Sequence, residues 1–320
     1  MTGPVTRYVC RTPEHAVELD ASPAVAGHVR ASLAPFVQVV PAFQAPPARW
    51  RVGVARRGLP RGEETVITNS TEPPTRLWCD GTARELLFDP AMPHDFLLHN
   101  LVRFVRILLR LLHTEDPEVF LHAGLVAREA RGALVLGPKR SGKTSTVLAA
   151  LRAGHRFVGN DDVTLRTAGE GWKGRGWPRR VSVRGDTFAA VGLPGDADRL
   201  LRPAELRELT GSPPVLAQSP VSALVFPRFS AGAGGLIPLD PGDVLARLEA
   251  NQLPAAVKHA DFLLPHFSSV LPCVRRELLA LAASDVPGFE LRQDFSALGE
   301  GALALTRLLS GHAPCERHRP

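Results

Sequence analysis

The stretch Gly137-Pro138-Lys139-Arg140-Ser141-Gly142-Lys143-Thr144 constrains this chain more than any other. It matches the pattern G-x-x-x-x-G-K-[ST] at every fixed position. The flanks have the character that pattern demands. Ala133 to Leu136 is a short apolar run that reads as a buried strand, and Thr144 to Arg152 is rich in Ala and Leu and reads as a helix. Strand, glycine loop and helix bring backbone N–H groups around a polyphosphate at a helix N-terminus. The expected nucleotide-binding residues are Gly137, Pro138, Lys139, Arg140, Ser141, Gly142, Lys143, Thr144 and Ser145. Lys143 is expected to reach the β- and γ-phosphates, and the Thr144 hydroxyl to hold Mg²⁺. Composition sharpens this point. The chain has four lysines, Lys139, Lys143, Lys173 and Lys258, and two of them fall in the loop. Its other cationic side chains are Arg, so a Lys at position 143 is a selective choice.

The surroundings of the loop add further signals. Leu121-His122-Ala123-Gly124 lies one strand upstream, and Gly154-His155-Arg156-Phe157-Val158 follows the helix and leads into Asn160-Asp161-Asp162. An acceptor hydroxyl attacking a γ-phosphate must lose its proton, and a carboxylate within hydrogen-bond reach can take it. Successive residues of an extended chain point to opposite faces. One carboxylate of the pair is therefore expected to face the phosphate while the other braces the loop or a metal. A solvated Asp-Asp turn is the alternative. His122 alone reads as an ordinary buried histidine.

From Glu118 to Leu165 this arrangement resembles HPr kinase/phosphorylase and its HPr kinase-like relatives, including kinases found with peptide natural-product biosynthesis. The resemblance implies an α/β fold with a mixed sheet, related to phosphoenolpyruvate carboxykinase. It also implies roles by position: His122 falls on the family's catalytic histidine, Lys143 on its loop lysine and Thr144 on its Mg²⁺-binding Ser/Thr. Asp161 falls on the aspartate that acts as base, with Asp162 beside it as a further catalytic or metal-binding carboxylate. The family's glycine-rich signature segment with a Mg²⁺-binding glutamate, and its later proline-rich loop used in dephosphorylation, have no clear counterpart here. Glu170 is the nearest candidate for that glutamate. The expectation is therefore phosphorylation without the reverse reaction.

Length and composition bound the alternatives. With 320 residues and 44% hydrophobic content, the chain can bury a full core in one large domain or two smaller ones. The net charge of +6 invites a nucleic-acid reading. No basic run is interleaved with aromatics, and the chain has a single Tyr, so that reading is set aside. Cys10, Cys79, Cys273 and Cys315 fit no zinc or redox spacing. The N-terminal residues lack a signal-peptide apolar core, and the expected location is cytoplasmic.

Along the chain, residues 1–90 read as a small α+β unit: a helix at Ala24 to Leu33, and strands at Trp50 to Val54, Glu64 to Thr68, Thr75 to Trp78 and Arg84 to Phe88. Pro46-Pro47 and Pro73-Pro74 punctuate it, and Asp80-Gly81 reads as a hairpin turn. The unit is either an acceptor-recognition module or a structural lid. Residues 91–116 read as an amphipathic connecting helix. Arg103, Arg106 and Arg110 exclude a membrane span there and form, with His99, a basic stripe. That stripe is either solvated or docks an acidic partner. Residues 117–312 read as the kinase-like domain, and 313–320 as a frayed tail. Within that domain, Gly169 to Pro178 reads as a wide hairpin loop or a mobile active-site loop.

The function expected from all this is an ATP- and Mg²⁺-dependent kinase acting on a hydroxyl, of a peptide or protein Ser/Thr or of a small natural product. Arg156, Arg180 and Arg228 are candidates to neutralise the transferring group. No nucleic-acid or membrane partner is expected, and a homo-oligomer is left open. The alternative is a regulatory or assembly protein that binds ATP with little phosphotransfer. Carboxykinase-like chemistry would need further ligands that the sequence does not offer.

Overall fold

The computed structural model describes residues 5–44, 48–55, 60, 62–68, 72–232, 234–254, 260–268 and 272–311. Pro46-Pro47, Lys258, Cys315 and the tail 313–320 lie outside them. The chain divides into two units, Met1–Asp116 with Pro254–Val270, and Pro117–Leu253 with Leu271–Pro320. This differs from the consecutive segments expected. The helix after residue 90 belongs to the first unit, and a short piece of the supposed kinase domain returns to it.

The first unit contains β1 (Thr6–Arg11), β2 (Ala16–Ala21), α1 (Pro23–Leu33), β3 (Gln38–Pro41), β4 (Trp50–Val54), β5 (Glu63–Ile67), β6 (Thr75–Asp80), β7 (Glu85–Phe88) and α2 (His94–Leu112). Its seven strands form one sheet in the order β3-β1-β2-β4-β7-β6-β5. The β6–β7 hairpin turns where Asp80-Gly81 suggested, with Asp80 Oδ1 accepting from the Thr82 and Ala83 N–H groups at 3.0 and 2.8 Å. The apolar face of α2 packs into this unit through Leu97, Leu101, Phe104, Val105 and Leu108, all buried. Phe104 meets Phe88 edge-on at 5.4 Å and Phe262 at 6.3 Å. The returning segment also places Phe267 flat against Trp50 at 5.2 Å.

The basic stripe of α2 is largely absorbed within the unit. Arg103 donates to Glu72 at 3.0 Å, and the buried Arg110 donates twice to the Pro254 carbonyl at 3.3 Å. A solvated stripe is thus not what forms, because Glu72 and the returning segment supply partners that lie far off in sequence. Among the described residues no helix is long and apolar enough to cross a membrane.

The second unit runs β8 (Val119–Leu121), β9 (Ala123–Arg128), β10 (Arg131–Leu136), α3 (Lys143–Arg152), β11 (Arg156–Gly159), β12 (Val163–Ala168) and β13 (Gly171–Gly176). It continues with β14 (Val181–Val183), α4 (Gly185–Ala190), β15 (Arg199–Leu201), α5 (Pro203–Thr210), β16 (Gln218–Val221) and β17 (Ala223–Phe229). The last elements are β18 (Gly235–Pro238), α6 (Pro241–Ala250), α7 (Pro272–Asp285), β19 (Gly288–Gln293) and α8 (Leu298–Leu309). A six-stranded mixed sheet has the order β11-β9-β10-β17-β19-β18, and a four-stranded sheet the order β16-β13-β12-β8. At the centre of the larger sheet β10, β17 and β19 run parallel, Val135 beside Val225 and Val225 beside Phe289. Parallel central strands are buried on both faces, which is why they read as continuous apolar runs. Their carboxyl ends meet at the glycine loop, the edge at which open α/β sheets hold ligands.

The glycine-rich segment after residue 168 is neither a wide loop nor a mobile one. It is β13, paired residue for residue with β12 from Val163–Gly176 to Ala168–Gly171. Its tryptophans anchor it: Trp172 Nε1 donates to Asp285 at 3.1 Å, and Trp177 Nε1 to Thr164 Oγ1 at 3.1 Å, with both rings buried. Gly174 lets this strand cross close to its neighbours, since a Cβ there would lie 2.5 Å from Leu125 Cδ2 and 3.1 Å from Val221 Cγ2, and the glycines of the segment hid its period in the sequence.

Candidate active site

The loop is held from three sides. Gly137 donates its N–H to Asn251 Oδ1 at 3.1 Å, and Asn251 in turn donates from Nδ2 to the Arg247 carbonyl at 2.8 Å. The end of α6 thereby fixes the start of the loop. At the far end Gln293 Nε2, leaving β19, donates to Thr146 Oγ1 at 2.8 Å. Between them Gly142 adopts φ +102°, and a Cβ there would sit 2.8 Å from Gln293 Nε2 and 2.9 Å from Phe229 Cζ. Both the dihedral and the crowding require glycine.

Lys143 turns back over this loop. Its Nζ donates to the carbonyls of Gly137 at 2.6 Å and Pro138 at 3.1 Å, and the residue is buried. Burial pulls its pKa below the ordinary lysine value, while the Asp161 charge opposes that shift. Ser141 Oγ is buried with no hydrogen-bond partner among the described residues. Such an orphan in a loop of this kind fits an external phosphate oxygen. Lys139 and Arg140 are exposed, and Thr144 is half-buried in the first turn of α3. The Ser145 side chain faces away, its Oγ 3.4 Å from Thr187 Oγ1 of α4.

His122 interrupts the chain between β8 and β9, and its N–H donates to the Asn251 carbonyl at 2.8 Å. Asn251 therefore ties the histidine segment and the glycine loop together. Two residues on, Gly124 passes against α3: a Cβ there would lie 2.6 Å from Val147 Cγ2 and 3.3 Å from Asn160 Oδ1. That close approach brings β9 under the helix and carries His122 to the site. From the other side β11 delivers Asn160, Asp161 and Asp162. His122 Nε2 lies 3.2 Å from Asp161 Oδ1, with the two side chains 35% and 24% exposed.

The carboxylate pair diverges by a different route from the one expected. Asp161 adopts φ +65°, a left-handed turn rather than an extended segment. This turn leaves Asp161 partly exposed while Asp162 is buried. Burial raises the Asp161 pKa, but the His122 hydrogen bond and the charges of His122, Arg179 and Lys143 outweigh it and hold the carboxyl below its ordinary range. The group is ionised at neutral pH.

Three contributors were not singled out in the sequence: Asn251, Gln293 and Arg179. Arg179 Nη1 reaches the Asp161 carbonyl at 3.5 Å and adds its charge to that carboxylate's surroundings. Arg156, Arg180 and Arg228 are exposed. Asn160 belongs with the site too, since it is buried and neither amide atom has a hydrogen-bond partner among the described residues. Its place before the Asp pair was the available signal. Glu170 is exposed in the turn joining β12 to β13, at the end of that hairpin remote from Asp162, which excludes it from this site.

Comparison with known proteins follows the same lines. No family model matches the chain. Over 96 residues it is 32% identical to an HPr kinase/phosphorylase of Caldanaerobacter subterraneus subsp. tengcongensis, covering 28% of this chain and 32% of that protein. Over 96 residues it is also 31% identical to an HPr kinase/phosphorylase of Thermoanaerobacter pseudethanolicus, with the same coverage. Over that stretch the chain is similar to these HPr kinase/phosphorylases. The chain spans about a third of the length of these curated relatives. A Coxiella burnetii Hpr(Ser) kinase/phosphatase structure aligns over 59% of this chain and 90% of its own, at 13% identity and a TM-score of 0.31.

Proposed function

We propose that the second unit is an ATP-dependent kinase that transfers the γ-phosphate to a hydroxyl. The observation that carries this reading is the His122–Asp161 pair, 3.2 Å apart and within the electrostatic field of the loop lysine. In the proposed reaction the acceptor oxygen bonds to the γ-phosphorus as the bond to the β,γ-bridging oxygen breaks. ADP leaves, and the hydroxyl proton passes to Asp161. Lys143 exchanges its two carbonyl partners for β- and γ-phosphate oxygens, which are stronger, charge-assisted acceptors. The loop N–H groups and Ser141 Oγ supply further donors. His122 holds Asp161 before the acceptor enters. Yielding that hydrogen bond to the acceptor hydroxyl makes the carboxylate more basic when a base is required.

The donors that would hold Mg²⁺ are the Thr144 hydroxyl and Asp162, an oxygen-only set suited to a small hard cation. When bound, Mg²⁺ neutralises charge on the β- and γ-phosphates. The acceptor is a Ser or Thr of a protein or peptide, or a natural-product hydroxyl. The names of the curated relatives favour a protein acceptor, and HPr itself is the first to try.

Asp161→Asn tests the assignment. Asparagine tolerates a left-handed backbone, so the turn survives while the proton acceptor is lost. Single-turnover transfer from γ-labelled ATP is expected to slow about 10²- to 10⁴-fold, with nucleotide Kd unchanged or tighter. Transfer at the wild-type rate would place the base elsewhere. If wild-type protein binds ATP but transfers to no hydroxyl, the chain is an ATP-binding regulator.

A further inference from the structure

The first unit holds a second group of chemically capable side chains, and its assignment is independent of the kinase reading. His15 lies in the turn between β1 and β2, and His113 and Asp116 lie just past the end of α2. The ligand atoms of these three residues fall within 4.8 Å of one another. His15 Nε2 is 2.7 Å from Asp116 Oδ2, and His113 Nδ1 is 3.7 Å from the same oxygen. The two rings meet edge-on with centroids 4.6 Å apart. Bonds of 2.0–2.1 Å in a tetrahedral shell set neighbouring ligand atoms about 3.3 Å apart. The two separations to Asp116, 2.7 and 3.7 Å, bracket that value, and the two ring nitrogens lie within 4.8 Å of each other.

The surrounding hydrogen bonds prepare the imidazole of His113 as a ligand. Its Nε2 is 2.9 Å from Thr12 Oγ1. That hydroxyl lies 3.4 Å from the His15 carbonyl as a donor and accepts the His15 N–H at 3.1 Å. With its one proton so placed, the remaining lone pair accepts from His113 Nε2–H. The tautomer is thereby set, and the lone pair of His113 falls on Nδ1, the atom that faces Asp116. An outer oxygen that orients the second ring nitrogen is the usual support of a metal-binding histidine. His113 is fully buried, His15 is 13% exposed and Asp116 is 33% exposed. The interior of the group is therefore fixed, while solvent can reach its outer edge.

We infer that His15, His113 and Asp116 form a binding site for a zinc-type divalent cation, with solvent completing the shell. Two imidazole nitrogens and one carboxylate select a borderline transition metal over Mg²⁺, which takes oxygen ligands. His15 and Asp116 are 101 residues apart, so the ion would clip the first hairpin of the unit to the end of its long helix. Without the ion the same residues form a histidine–carboxylate hydrogen bond.

The test uses the whole chain, stripped with a chelator and kept free of nucleotide, titrated with Zn²⁺ and with Co²⁺. One equivalent of each is expected to bind. The Co²⁺ spectrum should be that of nitrogen and oxygen ligands without a thiolate charge-transfer band. His15→Gln and Asp116→Asn, both at partly exposed positions, should each weaken binding at least about tenfold. Their metal-free melting temperatures should match that of the stripped wild-type chain. His113 is left intact because a replacement there risks the fold. Failure of the wild-type chain to bind either ion overturns the assignment. So does unchanged affinity in both variants, or sulfur in the coordination shell, which would locate the ion at a cysteine.

Discussion

His155 gives a quantitative test of how the second unit is packed. The Gly-His-Arg signature places it right after the phosphate helix, yet its side chain is fully buried against α8, Nε2 2.8 Å from Thr306 Oγ1. Thr306 gives its own proton to the Ala302 carbonyl at 2.9 Å, so its oxygen accepts and Nε2 carries the imidazole proton. Nδ1 is buried without a hydrogen-bond partner among the described residues. Charging the ring would put a second proton there with nothing to receive it. Burial above all, and then the Arg128 charge, push the pKa from 6.5 down to about 4. Between those values the unfolded chain binds more protons than the native one, so stability declines as pH falls. The contribution is intact above pH ~6.5 and gone by pH ~4. Linkage makes the full interval worth about 3 kcal/mol, of which about half is lost between pH 7 and pH 5. His155→Gln keeps a donor for Thr306 and removes the titration. Native-state hydrogen exchange of the β9 and β10 amides, corrected for intrinsic rates, reports the second unit alone. Wild-type protein should lose about 2 kcal/mol more than the variant over that pH interval. Acid sensitivity from depressed carboxylates such as Asp161 and Glu290 is common to both proteins and cancels. Equal losses in the two proteins, or a native His155 ring resonance titrating near 6.5, would refute the reasoning.

Two further outcomes follow from the site. Lys143→Ala removes a desolvated cation whose partners are loop carbonyls; calorimetry should lose about 2–4 kcal/mol of Mg·ATP binding with no fall in melting temperature, and wild-type affinity in the variant would remove Lys143 from the phosphate site. Because no counterpart of the family's dephosphorylation loop is visible in the sequence, labelled phosphoproduct incubated with excess inorganic phosphate should yield no pyrophosphate; pyrophosphate formation would contradict one-way chemistry.

The glycine loop and its flanking strand and helix were legible because local pattern alone determines them. The His122–Asp161 contact needed the resemblance, since 39 residues separate the pair. Asn251 and Gln293 were not legible. Each is one amide in an unremarkable context, and its role arises only when α6 and β19 arrive beside the loop. The β13 strand was misread because glycines replaced the alternating apolar residues by which strands are recognised. The stripe on α2 was misread for the opposite reason: its helical spacing was clear, but its partners Glu72 and Pro254 lie on segments that no local pattern connects to it.

The return of Pro254–Val270 to the first unit has a consequence for biosynthesis. When residue 116 leaves the ribosome, the sheet of that unit is complete in sequence, yet Phe262, Phe267 and the Pro254 carbonyl do not exist. Residues 117 through 253, 137 in all, must be translated first. At 5–20 residues per second that is a wait of about 7 to 27 s. During it Trp50, Phe104 and Arg110 lack the partners that cover them in the finished protein. The nascent N-terminal unit is therefore a natural client for chaperones that shield aromatic surface. A fragment ending at residue 116 would carry the same exposure permanently.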